Sequence, residues 1–281
     1  MKRIPYAAAW VLLVTVWAPA LAGAQQAAPP STITLAPEQM EVFLLNAKIL
    51  RMRDAGGGGI TNSQRATLSD GTVTHDAHVQ FIDQSLSVFK PPTGPQEFNF
   101  KDSYRYNIAG YRLALLLGLD NVPMSVERSV NGKRASVTWW IDDVLMDERT
   151  RVRKNATSPD RERTAMQVHI MRVFDELIQN RDRNLGNLVW TTDWKMWMID
   201  HTRAFRLATA LSNPKLLERV ERSLLEHLRA LTQDAVSKAV GTSLTRFEIE
   251  TLLTRRDAIV KLFEAKIAER GESSTVYALP R

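Results

Sequence analysis

The sequence predicts an α+β fold of two lobes, a strand-rich N-lobe followed by a helical C-lobe. Three observations predict it. Hairpin signals, Ser69-Asp70-Gly71 and Asn131-Gly132, fall in the first half between runs of strand character. Apolar residues at helical spacing dominate after residue 164. The stretch between, from Asp142 on, is polar and reads as a connection with a cleft beside it.

Taken in order, residues 1–24 read as a secretory signal. Lys2 and Arg3 supply its positive end, Ala7 to Ala18 its apolar centre, and Ala22-Gly23-Ala24 a small-x-small cleavage site. The apolar run is shorter than a bilayer-spanning helix requires, so cleavage near Ala24 is expected over membrane anchoring. The expected location is therefore periplasmic or secreted. The formal net charge is +6, and Lys2 and Arg3 contribute two of those charges, too mild a balance to imply nucleic acid. The absence of cysteine excludes disulfides, thiolate chemistry and thiolate metal sites.

Residues 25–36 form a Pro/Ala/Gln-rich linker. The N-lobe is expected over 37–141. Met40, Phe43, Leu44, Ala47 and Leu50 predict a helix over 37–54, opened by Pro37. A Gly-rich loop at Gly56–Gly59 leads into a hairpin over Ile60–Ile82. Residues 83–101 are expected to be irregular, because Pro91, Pro92, Gly94 and Pro95 punctuate them. A helix follows, capped by Asp102 or Ser103, with Tyr104, Ile108, Tyr111, Leu115 and Leu116 buried and Gly118 at its end. Asn131-Gly132 closes the second hairpin.

Residues 142–163 are the expected inter-lobe linker and 164–270 the C-lobe. Val168, Met171, Phe174 and Ile178 mark a helix that delivers the chain to a polar loop. Short strands follow at Leu188–Thr191 and Lys195–Ile199. The chain is then expected to be helical from Phe205 almost to the end, with residues 271–281 a flexible tail.

The loop carries the chemistry. Asp182 and Asn187 stand in a D-x-x-x-x-N arrangement, and Asp200 closes the downstream hairpin. Phosphoryl transfer needs one carboxylate to steer an attacking hydroxyl, and an amide and a second carboxylate to hold magnesium. Asp182 fits the first role; Asn187 and Asp200 fit the second, since Mg2+ takes hard oxygen ligands. The plainer reading is that Asp182, Asn184, Gly186 and Asn187 only build a turn. Walker, G-x-S-x-G and H-E-x-x-H motifs do not occur.

Asp182-Arg183-Asn184-Leu185-Gly186-Asn187 followed by Ile199-Asp200 resembles the catalytic loop and metal-binding segment of phosphatidylinositol 3-/4-kinases and of HipA-type atypical kinases. The run from Phe174 to Phe205 also resembles uncharacterised bacterial proteins placed near those kinases. The likeness reaches Gly59–Ser63 and Asp102–Pro123, most of the chain past the linker. It implies a two-lobed protein-kinase-like fold that uses ATP and Mg2+. It also implies nucleotide contacts from Gly59, Ser63 and a hinge at Trp140 and Ile141. Arg183 and His201 are expected to support the loop.

The sequence departs from that pattern where such kinases pair a third-strand lysine with a helix glutamate. The best-matching positions are Gln80 and Asn107. Arg65 is the candidate replacement for the missing charge. His75 and His78 alternate along a strand and read as structural. Two functions stay open: an exported kinase acting on a protein, lipid or small-molecule hydroxyl, or an inactive relative that binds nucleotide or protein.

Overall fold

The computed structural model describes residues 35–56, 63–91 and 96–279. The segment expected to be a secretory signal, most of the expected linker and Gly59 lie outside them. Helix α1 (Pro37–Asn46) opens at its proline, and the Gln39 side chain accepts from the Ala36 N–H at 2.9 Å. It stops well short of Asp54, and β1 (Lys48–Asp54) takes the remaining residues. Leu50, the last residue of the expected stripe, sits at a bulge in this strand and is exposed, while Ile49 and Met52 pack on the core.

Strands β2 (Gln64–Ser69) and β3 (Thr74–Gln80) form the expected hairpin. The stretch expected to be irregular instead holds β4 (Asp83–Phe89) and β5 (Glu97–Ser103), an antiparallel ribbon. Its breaker residues all fall between the two strands. Phe89 stacks on Phe100 at 4.2 Å and gives this polar ribbon an apolar anchor.

Helix α2 (Arg105–Leu116) begins after Tyr104; Asp102 and Ser103 end β5, and the Ser103 hydroxyl accepts from the Arg105 N–H at 3.4 Å. Ile108 and Tyr111 are buried as expected, but Leu115 is exposed, and Tyr106 and Leu113 face the core. The helix packs on the sheet and on the C-lobe together, so a single stripe does not describe it. Strands β6 (Ser125–Val130) and β7 (Lys133–Trp139) flank Asn131 and Gly132, both at positive φ as this tight hairpin demands. The sheet order is β1-β2-β3-β7-β6, antiparallel throughout.

The polar connection is not structureless. It contains β8 (Val144–Asp147) and α3 (Glu148–Arg153), capped by Asp147, which accepts from Thr150 N–H at 2.8 Å. Helix α4 (Arg161–Ile178) buries Ile170, Val173, Phe174, Leu177 and Ile178, while Val168 and Met171 sit at its margin. Strands β9 (Leu188–Thr191) and β10 (Met196–Met198) join β8 in the order β10-β9-β8.

The expected continuous helix after Phe205 does not form over residues 206–219, apart from a short 3-10 turn at Pro214–Leu216. Then come β11 (Val220–Glu221), α5 (Arg222–Ala230), α6 (Gln233–Val240), α7 (Arg246–Arg270), α8 (Glu272–Thr275) and β12 (Val276–Tyr277). Arg255 of α7 explains the irregular stretch. Its buried guanidinium donates to the carbonyls of Leu177, Arg206 and Ala208 at 2.8, 3.0 and 2.6 Å, oxygens a helix would use internally. The expected flexible tail is docked in its first half: β12 pairs in parallel with β11, and the buried Tyr277 donates its hydroxyl to the Met166 carbonyl at 2.6 Å. One hydrophobic core runs through both lobes. No described helix is long and apolar enough to cross a membrane.

Candidate active site

The loop after α4 is built by its own short polar side chains. Gln179 ends the helix in the left-handed conformation. The Asn180 side chain accepts from Asp182 N–H at 3.1 Å, and Asn184 accepts from Gly186 N–H at 2.8 Å. Turn-building therefore accounts for Asn180, Asn184 and Gly186. It does not use the Asp182 carboxylate, which lines a cleft between the lobes. Asn187 donates its side-chain N–H to the Asp182 carbonyl at 3.2 Å, leaving Oδ1 as the atom that can ligate a cation.

Arg183 joins this loop to the strand that carries Asp200. Its guanidinium forks onto Asp175 of α4, and Nη1 donates to the carbonyls of Asn187 and Ile199 at 3.0 and 2.7 Å. Ile199 N–H in turn donates to the Asn187 carbonyl at 3.1 Å. Nη2 of Arg183 lies 3.1 Å from Nε2 of His201. That contact makes Nε2 the acceptor and leaves the imidazole proton on Nδ1. Burial, with Arg183 adding to it, holds His201 well below the ordinary histidine range, so it stays neutral.

Asp200 has φ +54°, a left-handed conformation that few residues other than glycine, asparagine and aspartate adopt. Its Oδ1 accepts from the Thr202 hydroxyl at 3.0 Å. Asp182, Asn187 and Asp200 all line one cleft of about 760 Å³. Asp102, at the end of β5, lines it too, with Oδ1 buried and without a hydrogen-bond partner. Burial raises the Asp182 carboxyl above its ordinary range; Arg203, 3.4 Å away, opposes this and Asp200 reinforces it. Burial raises Asp102 likewise, with Asp200 and Asp182 adding to it against Thr202 and Arg203.

Ser63, Trp140, Ile141, Asn107 and His201 also line the cleft. Gly59 lies outside the described residues. Asn107 ties the lobes together: its Nδ2 donates to Ser136 of β7 at 3.3 Å, and its Oδ1 accepts from His201 N–H at 2.8 Å. Two expectations fail. Arg65 does not reach the cleft, because it pairs with Asp76 at 2.6 Å and lies over the Trp140 ring at 4.1 Å. Gln80 is fully buried off the cleft, and it makes no hydrogen bond to Asn107. His78, two residues earlier on the same face of β3, lines the cleft.

Asp102 and His78 escaped the sequence because they come from strands whose facing depends on sheet register. The oxygen donors of Asn187 and Asp200 would suit a hard cation such as Mg2+. Among the described residues no group of three or more His, Cys, Asp or Glu forms a cage, and Mg2+ ordinarily takes one or two carboxylates with the rest from ligand and water.

No protein-family profile matches the chain, and no curated sequence matches it. Solved structures do. The chain is similar to hydra Fam20 in a structure with sugar, at a TM-score of 0.65 and 14% identity, over 86% of this chain and 92% of that one. It is similar to the Golgi casein kinase at 0.60 and 14%, over 87% and 81%. A structure of the Golgi casein kinase with Mn/ADP bound gives 0.59 and 14%, over 86% and 80%. At such identity the likeness speaks to fold and leaves chemistry to the residues. The chain has the two-lobed α+β fold of atypical kinases.

Proposed function

We propose that the protein is an atypical kinase that transfers phosphate from ATP-Mg2+ to a hydroxyl acceptor. The observation that carries this reading is the convergence of Asp182, Asn187 and Asp200 on one cleft, held by Arg183. Asp182 accepts a hydrogen bond, and then the proton, from the acceptor hydroxyl. Asn187 Oδ1 and the Asp200 carboxylate would hold the cation, which when bound supplies positive charge against the phosphates. In this reading Trp140 and Ile141, which line the cleft, receive the nucleobase. The loop motif also fits the narrower phosphatidylinositol 3-/4-kinase-like or HipA-like group. The secretory signal supports action outside the cytoplasm.

A second reading, a nucleotide- or protein-binding module without turnover, is favoured by one observation: no lysine lines the cleft among the described residues. Transfer of labelled phosphate from ATP-Mg2+ to the protein itself or to generic serine, sugar and lipid acceptors decides between them. Transfer by the wild type that is lost in Asp182→Asn supports the kinase. Binding of ATP-Mg2+ without transfer to any acceptor supports the module.

A further inference from the structure

The cleft is short of fixed positive charge where a nucleotide's phosphates would lie. Arg203 lines it, but that side chain is shared between Glu97 at 2.8 Å and Asp182 at 3.4 Å. Arg149 lies at the rim in α3, on the C-lobe side. Arg65 is committed to Asp76, and the buried Gln80 carries no charge. The residues from Gly57 to Asn62 carry no lysine or arginine in their sequence.

His78 is the side chain that β3 presents to the cleft, opposite Thr138 of β7, which lines it too. Among the described residues, neither of its ring nitrogens has a hydrogen-bond partner, and neither is sealed from the cleft. A neutral imidazole carries one N–H donor and one acceptor. A lysine in such a strand would bring a permanent charge; His78 brings only a donor.

Resting on the kinase reading, we infer that His78 is the N-lobe contact for the nucleotide's phosphate oxygens, and that nucleotide binding depends on a divalent cation for its charge balance. The cation and the C-lobe arginines supply what the strand does not. One consequence separates this from a purely structural histidine: a lysine at this position restores the ATP binding that removal of the cation abolishes.

The test uses the full chain with its histidines labelled in nitrogen-15, five in all, with His78→Gln to assign the resonance. Adding ATP-Mg2+ or tripolyphosphate-Mg2+ should move the His78 ring signals, and adenosine should not. By calorimetry, wild-type affinity for ATP should fall at least about tenfold in EDTA, while His78→Lys should keep most of it, since a charged hydrogen bond is worth about a factor of ten or more. Movement with adenosine alone, or no movement while calorimetry reports ATP-Mg2+ binding, overturns the inference and leaves the kinase reading standing. Undiminished wild-type binding in EDTA also overturns it. Absence of any ATP-Mg2+ binding removes both. Should His78→Lys not fold, the ring signals of the wild type still decide.

Discussion

Arg183 and Asp175 form a buried fork, Nε to Oδ2 and Nη2 to Oδ1, both at 2.9 Å. Both side chains are about nine-tenths buried, and Nη1 of the same arginine holds the Asn187 and Ile199 carbonyls. The Asp182 loop and the Asp200 segment that follows β10 are thus registered by one guanidinium. Arg183→Ala leaves the Asp175 charge buried with no cation and only the Asn180 amide, 3.3 Å away, and should cost about 3–5 kcal/mol in chemical denaturation. Arg183→Lys keeps the charge but cannot make the fork, and should fall between wild type and alanine.

Asp182→Asn should lower phosphate transfer by about 10²–10⁴-fold. It should also make the protein more stable at neutral pH. The Asp182 carboxyl is raised in the folded state, chiefly by burial, so the folded protein resists its ionisation. That penalty is absent below the unfolded carboxylate range and grows as pH rises through the raised folded value. Melting curves of the two proteins should therefore coincide near pH 3 and separate toward pH 7, with asparagine the higher. A wild type that melts higher at pH 7 contradicts this.

Glu248 predicts the opposite slope. Burial works to raise its carboxyl, but hydrogen bonds from Lys101, at 2.8 Å, from Tyr106 and from Thr245 outweigh burial and hold it below 4.5. Its contribution is present above the unfolded value and is lost as pH falls through the depressed folded value. Glu248→Gln should be less stable than wild type at pH 7 and should lose less stability on acidification. Parallel pH profiles for the two proteins would contradict the assignment.

Gly110 lies inside α2, where a Cβ would meet the His201 ring at 3.2 Å. Alanine favours a helix by about 1 kcal/mol. His201, however, is fixed by Asn107 and Arg183, so it has nowhere to retreat. Overpacking typically costs about 1–3 kcal/mol, so Gly110→Ala should destabilise on balance and weaken nucleotide binding as the Asp200 segment shifts. A thermal melt with and without ATP-Mg2+ measures both effects.

The parts legible in the sequence were local. Asp182 and Asn187 sit five positions apart in one loop, and the Asn131-Gly132 turn needs only its own backbone. Leu50 misled because it continued the helical spacing although it stands exposed at a strand bulge, and the ribbon of Asp83–Ser103 was hidden by breakers that stand between its strands. Arg255 capturing the carbonyls of Arg206 and Ala208 undid an apolar pattern that reads as helix. Asp102 was read as a helix cap, and its place beside Asp200 and Asp182 follows from the fold alone. Gly110 was a signal in plain view, since glycine within a helix usually marks close packing.

The central claim is that Asp200 and Asn187 hold a divalent cation on a nucleotide in this cleft. Asp200→Asn tests it most directly, because asparagine tolerates the same left-handed backbone at φ +54° and removes only the charge. Calorimetric titration with ATP should show magnesium-dependent binding to the wild type and a loss of about tenfold or more in the variant. Equal affinity in the two proteins, or no difference between ATP with and without magnesium, would contradict it.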